Sequence, residues 1–373
     1  MRVLMTMKRP HSNMAGMLQG LVEAGHEIHL VTSAIGGTKS VAAMPGVEST
    51  TIPYSRTSRR LWGAQPKRLH VLGSPRPAEL IRTYRRISPD VVVAKDLRTM
   101  SLMLLAIARL SRAVGVLMWN KPRFARKWPI RSLLAPIFLP RRKVHMGFYG
   151  QVGEPLPLGG ALGASTLLPY PMLFPETPDE SAATTDSSPV RVVVIGALTN
   201  SVKRMVWVSE AIHRLGLQDR VEITYIGLGD EGSPAYREIR AFEADAGLPP
   251  ARILLNLPHS EVRERLVDYD ILAHPSAKEN FGAVITEAMA AGLAVLCSDR
   301  CGAKVCFEPE RSGLVFDSDA QDDFTAQLGR LVDDAELRGS MKAAARRRAE
   351  ETLSPARWVE AFERIVRGER LSG

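Results

Sequence analysis

Two carboxylates stand on either side of a glycine in the second half of the chain. Glu279 and Glu287 have seven residues between them, and Gly282 lies inside that interval. The apolar residues before Glu279 predict a strand over 270–276, and those after the glycine predict a helix over 282–291. The segment therefore has the pattern of a strand, a tight turn and the start of a helix.

The start of this helix is suited to binding an anion. Free backbone N–H groups and the helix dipole both favour negative charge there, so we expect Phe281, Gly282 and Ala283 to donate N–H groups to a diphosphate. Gly282 also lets the backbone approach the phosphates closely. Glu279 could then accept hydrogen bonds from a sugar on the diphosphate, and Glu287 from a ribose. The alternative is that the two glutamates are a helix cap and a solvated helix residue.

The first half of the chain has the alternation of strands and helices that could hold such a site. The predicted elements are strand 2–6, a helix that Asn13 caps and Gly25 ends, strand 27–32, strand 90–94, helix 100–110 and strand 114–118. Strand–helix–strand units of this kind form parallel sheets covered by helices. A chain of 373 residues also exceeds what one core usually supports, which favours two domains.

A proline-rich stretch divides the two halves. Between Leu168 and Val190 the alternation stops, and prolines are followed by residues rich in Ser, Thr, Ala and Asp. The predicted segments are a domain over 1–172, a linker over 173–189, a domain over 190–353 and a final amphipathic helix within 354–373 that crosses back to the first domain. The predicted fold class is α/β, with two doubly wound Rossmann-like domains and a cleft between them.

The segment from His274 to Gly292 resembles a known family. His274-Pro275-Ser276, Glu279-Asn280-Phe281-Gly282 and the run Thr-Glu-Ala-Met-Ala-Ala-Gly at 286–292 are similar to the hallmark of retaining GT-B glycosyltransferases of family 4. The resemblance extends to Ala24-Gly25-His26-Glu27, which is similar to a Gly-His-Glu-Val turn of that family. It covers most of residues 190–320 and, more faintly, the first half of the chain.

The resemblance implies roles for particular residues. Glu279 would contact the hydroxyls of the donor sugar as a catalytic residue, and Glu287 would contact the ribose. Lys203 matches a lysine that grips the diphosphate in the family. The other residues implied in donor binding are Gly196, Asn280, Phe281, Gly282 and Ala283.

The chain departs from the family pattern at several positions. Ala197 stands where the family usually has an arginine, and Arg204 either supplies that charge or is solvated. Gly16 is the only glycine in a loop where the family often has a pair. Asn120 follows a strand where many members carry a histidine, so it is the candidate to replace that catalytic residue.

The charges of the two halves are opposite. Residues 1–150 carry 25 Lys/Arg against six Asp/Glu, whereas residues 151–373 carry 24 against 34. So large a positive field predicts an anionic partner for the first half. Nucleic acid is a competing partner, but the chain shows no helix-turn-helix, zinc module or aromatic stacking strand, so none is expected.

The segment 120–148 interleaves basic with apolar residues, which is typical of a segment that lies on an anionic membrane surface. The predicted membrane or acceptor contacts are Lys121, Arg123, Arg126, Lys127, Trp128, Arg141, Arg142 and Lys143. Residues 56–86 add nine further basic residues. An ordinary packed helix with solvated charges is the alternative.

Several other classes of site and segment are not expected. Cys297, Cys301 and Cys306 lack the paired spacing of a zinc site or a disulfide framework, so free thiols are predicted. No acidic metal triad is present, so no metal or other cofactor is expected. The chain also lacks a long apolar run and a signal-peptide pattern, which predicts a cytoplasmic protein. The basic and apolar segment 120–148 predicts that this protein is peripheral on the inner face of the membrane.

The sequence thus predicts a retaining glycosyltransferase of the hexosyltransferase type. It would move a sugar from a nucleotide diphosphate donor, UDP- or GDP-linked, to a lipid-linked or membrane-proximal glycan acceptor in cell-envelope glycan synthesis. Two alternatives stay open at this point. One is a GT-B epimerase that acts on a nucleotide sugar, and the other is a non-catalytic partner that binds one.

Overall fold

The structure is a computed structural model. It describes residues 1–7, 14–33, 44–65, 69, 72–95, 98–119, 139–146, 155–157, 164–176, 189–279, 281–369 and 371. The chain divides into a first unit, Met1–Pro171 with Pro355–Gly373, and a second unit, Met172–Ser354.

Two sets of elements build these units. The strands are β1 Arg2–Met7, β2 Glu27–Ser33, β3 Val47–Ile52, β4 Val91–Ala94, β5 Val114–Trp119, β6 Arg142–His145, β7 Pro155–Pro157, β8 Ala164–Leu167, β9 Val190–Ile195, β10 Val221–Gly227, β11 Arg252–Leu255, β12 Ile271–His274, β13 Ala294–Ser298 and β14 Leu314–Phe316. The helices are α1 Ala15–Glu23, α2 Arg56–Trp62, α3 Pro77–Ile87, α4 Thr99–Leu110, α5 Val206–Arg214, α6 Pro234–Asp245, α7 His259–Arg265, α8 Ala283–Ala290, α9 Gln321–Asp333, α10 Ala335–Leu353 and α11 Pro355–Arg367.

The first unit contains a sheet with strand order β3-β2-β1-β4-β5-β6-β8-β7. The pairs are parallel except for β7 with β8. In β1 and β4 nearly every residue is buried, including Leu4 and Val92. Strands covered by helices on both faces need such continuous apolar runs, which explains why they lack the alternation of a half-exposed sheet.

The helix α11 completes the first unit although it is last in the chain. It packs against α1, where Gly20 leaves room for Pro355: a Cβ on Gly20 would lie 2.8 Å from the Cβ of Pro355. Trp358 and Phe362 of α11 are buried and stack with ring centroids 5.2 Å apart. The side chain of Arg142 on β6 donates to the carbonyl oxygen of Ile365 at 3.0 Å.

The second unit contains a parallel sheet with strand order β11-β10-β9-β12-β13-β14. After β9 the chain builds outwards through β10 and β11, and it then returns to place β12 on the other side of β9. The strand order therefore reverses between β9 and β12. Ligands of doubly wound sheets bind at the carboxyl ends of the strands where this reversal occurs.

Most predicted elements of both units are present with ends shifted by one or two residues. The start of one helix, α5, matters for the site. It begins at Val206, because Arg204 has a left-handed backbone, φ 48°, and ends a short 3-10 turn, Ser201–Lys203. The helix predicted over 282–291 is α8, with Gly282 outside it as the residue before its first turn.

Asp270 ties three elements of the second unit together. Its carboxylate accepts hydrogen bonds from the backbone N–H of Arg191 at 3.0 Å and from Lys342 of α10 at 2.9 Å. Burial of this carboxyl opposes ionisation, but the bonds from Lys342 and Arg191 outweigh burial and lower the pKa of Asp270. The ionised side chain therefore stabilises the folded unit.

We expect Asp270→Asn to lower the free energy of unfolding by about 1–2 kcal/mol at pH 7, since one charge-assisted hydrogen bond is lost. The folded pKa is depressed, so the contribution of Asp270 is present above the ordinary pKa of an aspartate and is lost as pH falls through the folded pKa. Urea unfolding at pH 7 and near pH 3 measures it. A gap between wild type and variant that does not narrow at low pH would contradict the assignment.

Candidate active site

The loops after β9 and β12 are joined by one backbone hydrogen bond. The N–H of Ala277 donates to the carbonyl of Val202 at 2.9 Å. Val202 lies in the 3-10 turn Ser201–Lys203, whose first N–H groups are capped by the side chain of Asn200. This bond brings Lys203, in the first loop, next to Glu279, in the second, although 76 positions separate them in the sequence.

Gly196 makes room for Lys203. It is the first residue after β9, and a Cβ placed on it would lie 3.2 Å from Cγ of Lys203. A side chain at 196 would therefore press on the lysine stem. The glycine allows Lys203 to run along the end of the sheet and to carry its ammonium to Glu279.

The side chains of Lys203 and Glu279 form a short ion pair at this edge of the sheet. Nε2 of His274, the last residue of β12, lies 3.8 Å from Oε2 of Glu279. Burial of the Glu279 carboxyl opposes ionisation, but the neighbouring His274 and Lys203 outweigh burial and lower the pKa of Glu279 to about 2. Glu279 is therefore a carboxylate throughout the physiological range, held between two basic groups.

The turn after Glu279 presents the start of α8. Gly282 has φ 85°, a left-handed backbone that favours glycine, and its missing side chain also avoids Cγ of Glu279, 3.0 Å from an added Cβ. The carbonyl of Phe281 accepts from the N–H of Ala303 at 2.6 Å, which fixes the turn to the following loop. The first N–H groups of α8, beginning at Ala283, have no acceptor within the helix itself. They can bind an anion beside Lys203.

Glu287 lies farther along α8, and His259 at the start of α7 holds it. Nε2 of His259 and Oε1 of Glu287 are 2.9 Å apart. The hydrogen bond with Glu287 raises the pKa of His259, against the effect of burial. Glu287 is mostly buried and its orientation is fixed by this contact. It can accept hydrogen bonds from a diol that reaches the second turn of the helix.

The side chain of Arg204 has contacts of its own within the second unit. Its guanidinium donates to the carbonyl of Ser318 and lies over the ring of Trp207, 4.4 Å from the centroid. Lys203 therefore supplies the cation beside Glu279, and Arg204 serves the packing of the second unit. The charge that Ala197 lacks is not replaced by Arg204.

Other predicted site residues lie elsewhere or outside the described residues. Gly16 is buried in α1 of the first unit. Asn280 and Asn120 lie outside the described residues. The same holds for Lys121, Arg123, Arg126, Lys127 and Trp128.

The prediction of a membrane contact is wrong for Lys143. This residue lies inside β6, between β5 and β8, and only 9% of it is exposed. Burial lowers the pKa of Lys143. Arg142, on the same strand, binds α11, and of the three only Arg141 is exposed. The basic run 141–143 is largely structural, because a strand passes through it.

The sequence patterns indicate no role for His259, and they include His274 only as part of a motif. Both histidines contact the two glutamates that the spacing singled out. His274 stands five positions before Glu279, and this short spacing could have indicated a contact between the two side chains. His259 is 28 positions from Glu287, and no local pattern connects them.

Within the described residues, no group of three or more His, Cys, Asp or Glu side chains is arranged to hold a metal ion. Nor does any helix in those residues have the length and apolar character needed to cross a membrane.

Comparison with known proteins bears on the second unit most directly. Residues 178–348 match the model of the family described as "Glycosyl transferases group 1". The second half of the chain is therefore similar to group 1 glycosyl transferases. This match includes the 3-10 turn with Lys203, the Glu279 turn and α8.

Two curated relatives share part of this group 1 sequence. A D-inositol 3-phosphate glycosyltransferase of Corynebacterium jeikeium is 29% identical over 135 residues, which cover 36% of this chain and 32% of the relative. The enzyme of the same name from Jonesia denitrificans is 34% identical over 87 residues, 23% of this chain and 20% of the relative. The chain thus spans a third or less of the length of these relatives.

Solved structures are similar over nearly the whole chain. HepE from Anabaena in complex with UDP has a TM-score of 0.72 at 14% identity, covering 99% of this chain and 100% of that one. Sucrose-phosphate synthase from Thermosynechococcus elongatus has a TM-score of 0.68 at 12% identity, covering 98% of each. At this identity the likeness concerns the fold, which is α/β with two Rossmann-like units, of the GT-B class.

Proposed function

We propose that this chain is a retaining glycosyltransferase of the family 4 type, which moves a sugar from a nucleotide diphosphate donor. The observation that carries the proposal is the ion pair of Lys203 and Glu279 at the start of α8, at the carboxyl edge of β9 and β12. The cation and the helix start would bind a diphosphate, and the carboxylate that follows them would bind the sugar attached to it. The match to group 1 glycosyl transferases over residues 178–348 supports it.

Binding of the donor would separate the ion pair. The ammonium of Lys203 and the N–H groups of Phe281, Gly282 and Ala283 would bind the diphosphate, because phosphate oxygens carry more charge than one carboxylate can offer. Glu279 would then accept hydrogen bonds from the hydroxyls of the sugar. The contact with the diphosphate and the contact with the sugar would thus come from Lys203 and Glu279, which already contact each other in the structure.

The protein would assist transfer mainly by electrostatics. As the bond between the sugar and the diphosphate breaks, negative charge grows on the departing phosphate, and a fixed lysine and helix start stabilise it. The acceptor hydroxyl would attack from the same face, which retains the configuration of the sugar. In this proposal Lys203 and the helix start neutralise the leaving group, and no step passes through a metal ion.

The nucleoside would lie toward Glu287. Its carboxylate, which contacts His259 at 2.9 Å, would accept hydrogen bonds from the 2′- and 3′-hydroxyls of a ribose. The donor base is proposed to be uracil or guanine. Structures of HepE hold UDP and UDP-glucose, and a similar Escherichia coli structure holds UDP-2-fluoro glucose, which supports a uridine nucleotide.

The acceptor is proposed to be lipid-linked or close to an anionic membrane in cell-envelope glycan synthesis. Exposed basic and apolar side chains on α2 and on α3 of the first unit support this proposal. Arg59 and Arg60 are exposed on α2 beside Leu61, which is 62% exposed, and on α3 Ile81 is 40% exposed beside Arg82. Exposed basic and apolar side chains together suit anionic headgroups and the acyl boundary. The protein would then be cytoplasmic and peripheral at the membrane.

Glu279→Ala tests the reaction. We expect transfer from the donor to fall at least about a hundredfold, because the variant loses sugar contacts next to the reacting carbon. Binding of the nucleoside diphosphate should persist, since Lys203 is freed and not removed. Transfer to a lipid extract is followed with labelled donor, with circular dichroism as the check on folding. A folded variant that turns over at the wild-type rate would contradict the role of Glu279.

Lys203→Ala tests the diphosphate contact. A charged hydrogen bond to phosphate contributes about 1.5–3 kcal/mol, so we expect affinity for UDP or GDP to fall ten- to a hundredfold while affinity for the nucleoside is unchanged. Calorimetry measures both. Arg220→Ala is the matched control, because it removes an exposed cation of the same unit that pairs with Asp333. Equal losses in the two variants would place the phosphate contact elsewhere.

The membrane surface is tested by replacing Arg59 and Arg60 together with serine. Neither arginine pairs with a carboxylate in the part of the chain that the structure describes, so the change should leave the fold intact. We expect co-sedimentation with vesicles rich in anionic lipid to fall severalfold at low salt, with about 1 kcal/mol lost per arginine. Wild-type binding should itself decrease as salt rises.

The control for the membrane experiment is the pair Arg214→Ser and Arg220→Ser, exposed on the second unit. This pair of substitutions lowers the net charge by the same amount as the replacement of Arg59 and Arg60, but at positions outside α2. Equal loss in both double variants, or wild type that stays in the supernatant with anionic vesicles, would contradict the proposed surface.

A further inference from the structure

Arg204 lies directly after Lys203, and its backbone has a conformation that residues with a Cβ seldom adopt. Its φ is 48° and its ψ is 38°, in the left-handed region. In that region the Cβ of an L-residue comes too close to the following carbonyl oxygen, so the conformation is unfavourable for arginine. A residue of this kind persists only where its surroundings hold it, and such residues are frequent at functional sites.

The side chain of Arg204 is held at two points of the second unit. Its guanidinium donates to the carbonyl oxygen of Ser318 in the loop after β14, and it lies over the ring of Trp207, 4.4 Å from the centroid. The loop that contains Ser318 is itself fixed, since the N–H of Ser318 donates to Asp299 at 3.0 Å. The N–H of Arg204 donates to the carbonyl of Ser201 at 3.0 Å, which closes the 3-10 turn. These contacts offset the unfavourable conformation at 204.

The preceding residues of the turn are fixed as well, each by a different partner. Oδ1 of Asn200 accepts from the N–H of Val202 at 3.2 Å. The hydroxyl of Ser201 donates to the carboxylate of Glu238 on α6. The carbonyl of Val202 accepts from the N–H of Ala277 at 2.9 Å. The backbone on the amino side of the lysine is therefore held firmly, and its direction on the carboxyl side depends on the residue that follows.

The contact of Lys203 with Glu279 depends on this backbone geometry. The stem of Lys203 passes Gly196, with Cγ 3.2 Å from the position of an added Cβ, and the ammonium pairs with Glu279. A right-handed conformation at 204 would turn the chain after the lysine in another direction. Either the 3-10 turn or the start of α5 at Val206 would then have to shift, and Lys203 would shift with it.

We propose that Arg204 is a positioning residue, which holds Lys203 where its ammonium can bind the diphosphate of the donor. The inference rests on the proposed function and deepens it. Arg204 acts through the backbone of the turn, while its guanidinium contacts Ser318 and Trp207. The arginine thus contributes to diphosphate binding without a contact of its own to the phosphates.

The experiment compares Arg204→Ala with Arg204→Gly, read as affinity for UDP and GDP by calorimetry. Alanine keeps the Cβ that disfavours a left-handed backbone, and it loses both contacts of the guanidinium. Glycine loses the same contacts but adopts the left-handed conformation readily. For the better nucleotide we expect about a tenfold loss of affinity in Arg204→Ala and about a two- to threefold loss in Arg204→Gly.

Two further measurements distinguish positioning of the lysine from a general structural role. Affinity for uridine and guanosine should be unchanged in both variants, because the nucleoside is proposed to lie toward Glu287. In the Lys203→Ala background, Arg204→Ala should alter affinity for UDP or GDP less than about twofold, because no lysine is left to position.

Glu310 provides the matched control. It is another residue of the second unit with a left-handed backbone, φ 65°, and its side chain pairs with Arg330 at 2.9 Å. Glu310→Ala and Glu310→Gly therefore repeat the same changes in a turn that does not carry Lys203. Neither should alter affinity for UDP or GDP, and Glu310→Gly should resist urea better than Glu310→Ala.

The outcomes separate this inference from the proposed function. With wild type that binds UDP or GDP, equal losses in Arg204→Ala and Arg204→Gly would overturn the inference, because the backbone conformation would then not matter. Unchanged affinity in Arg204→Ala, or a loss that persists in the Lys203→Ala background, would overturn it as well. If neither nucleotide binds the wild type, the proposed function fails and the inference falls with it.

Arg204→Gly decides the question if circular dichroism shows that Arg204→Ala does not fold. A loss of affinity in Arg204→Gly that disappears in the Lys203→Ala background supports the inference. Unchanged affinity, or a loss of equal size in that background, overturns it.

Discussion

The candidate site of the second unit depends on one backbone hydrogen bond, from the N–H of Ala277 to the carbonyl of Val202. It joins the loop after β9 to the loop after β12 at the point where the strand order reverses. The pairing of β9 with β12 already places the two loops at the same edge of the sheet, and this bond fixes one loop to the other. With it, a cation and a carboxylate meet at the start of α8, and the sheet holds them at a fixed separation.

The electrostatics of the site follow from this contact. Glu279 remains ionised because two basic groups outweigh its burial, and neither group alone has to serve both the carboxylate and an incoming anion. Glu287 has its own partner in His259. Each carboxylate thus has a histidine beside it, on a different element in each case.

The sequence was sufficient for the parallel strands and for the turn from Glu279 to Gly282. These depend on local apolar patterns and on glycine, which are read within a few residues. It was insufficient where distant segments meet. His259 contacts Glu287 across 28 positions. Lys143 is basic in sequence yet buried in β6, which is an inner strand of the sheet. Arg204 has the right charge, but its left-handed backbone sends the guanidinium to Ser318.

The return of α11 to the first unit has a consequence for how the protein is made. The first unit cannot close its core over α1 until Pro355–Arg367 has left the ribosome, after the entire second unit. During synthesis the first unit would therefore wait with the α1 surface uncovered, whereas Met172–Ser354 is continuous and can fold as soon as it is complete. Nascent chains that stall or end just before Trp358 would contain a folded second unit and an incompletely folded first unit. Quality-control proteases would therefore cleave such chains in the first unit.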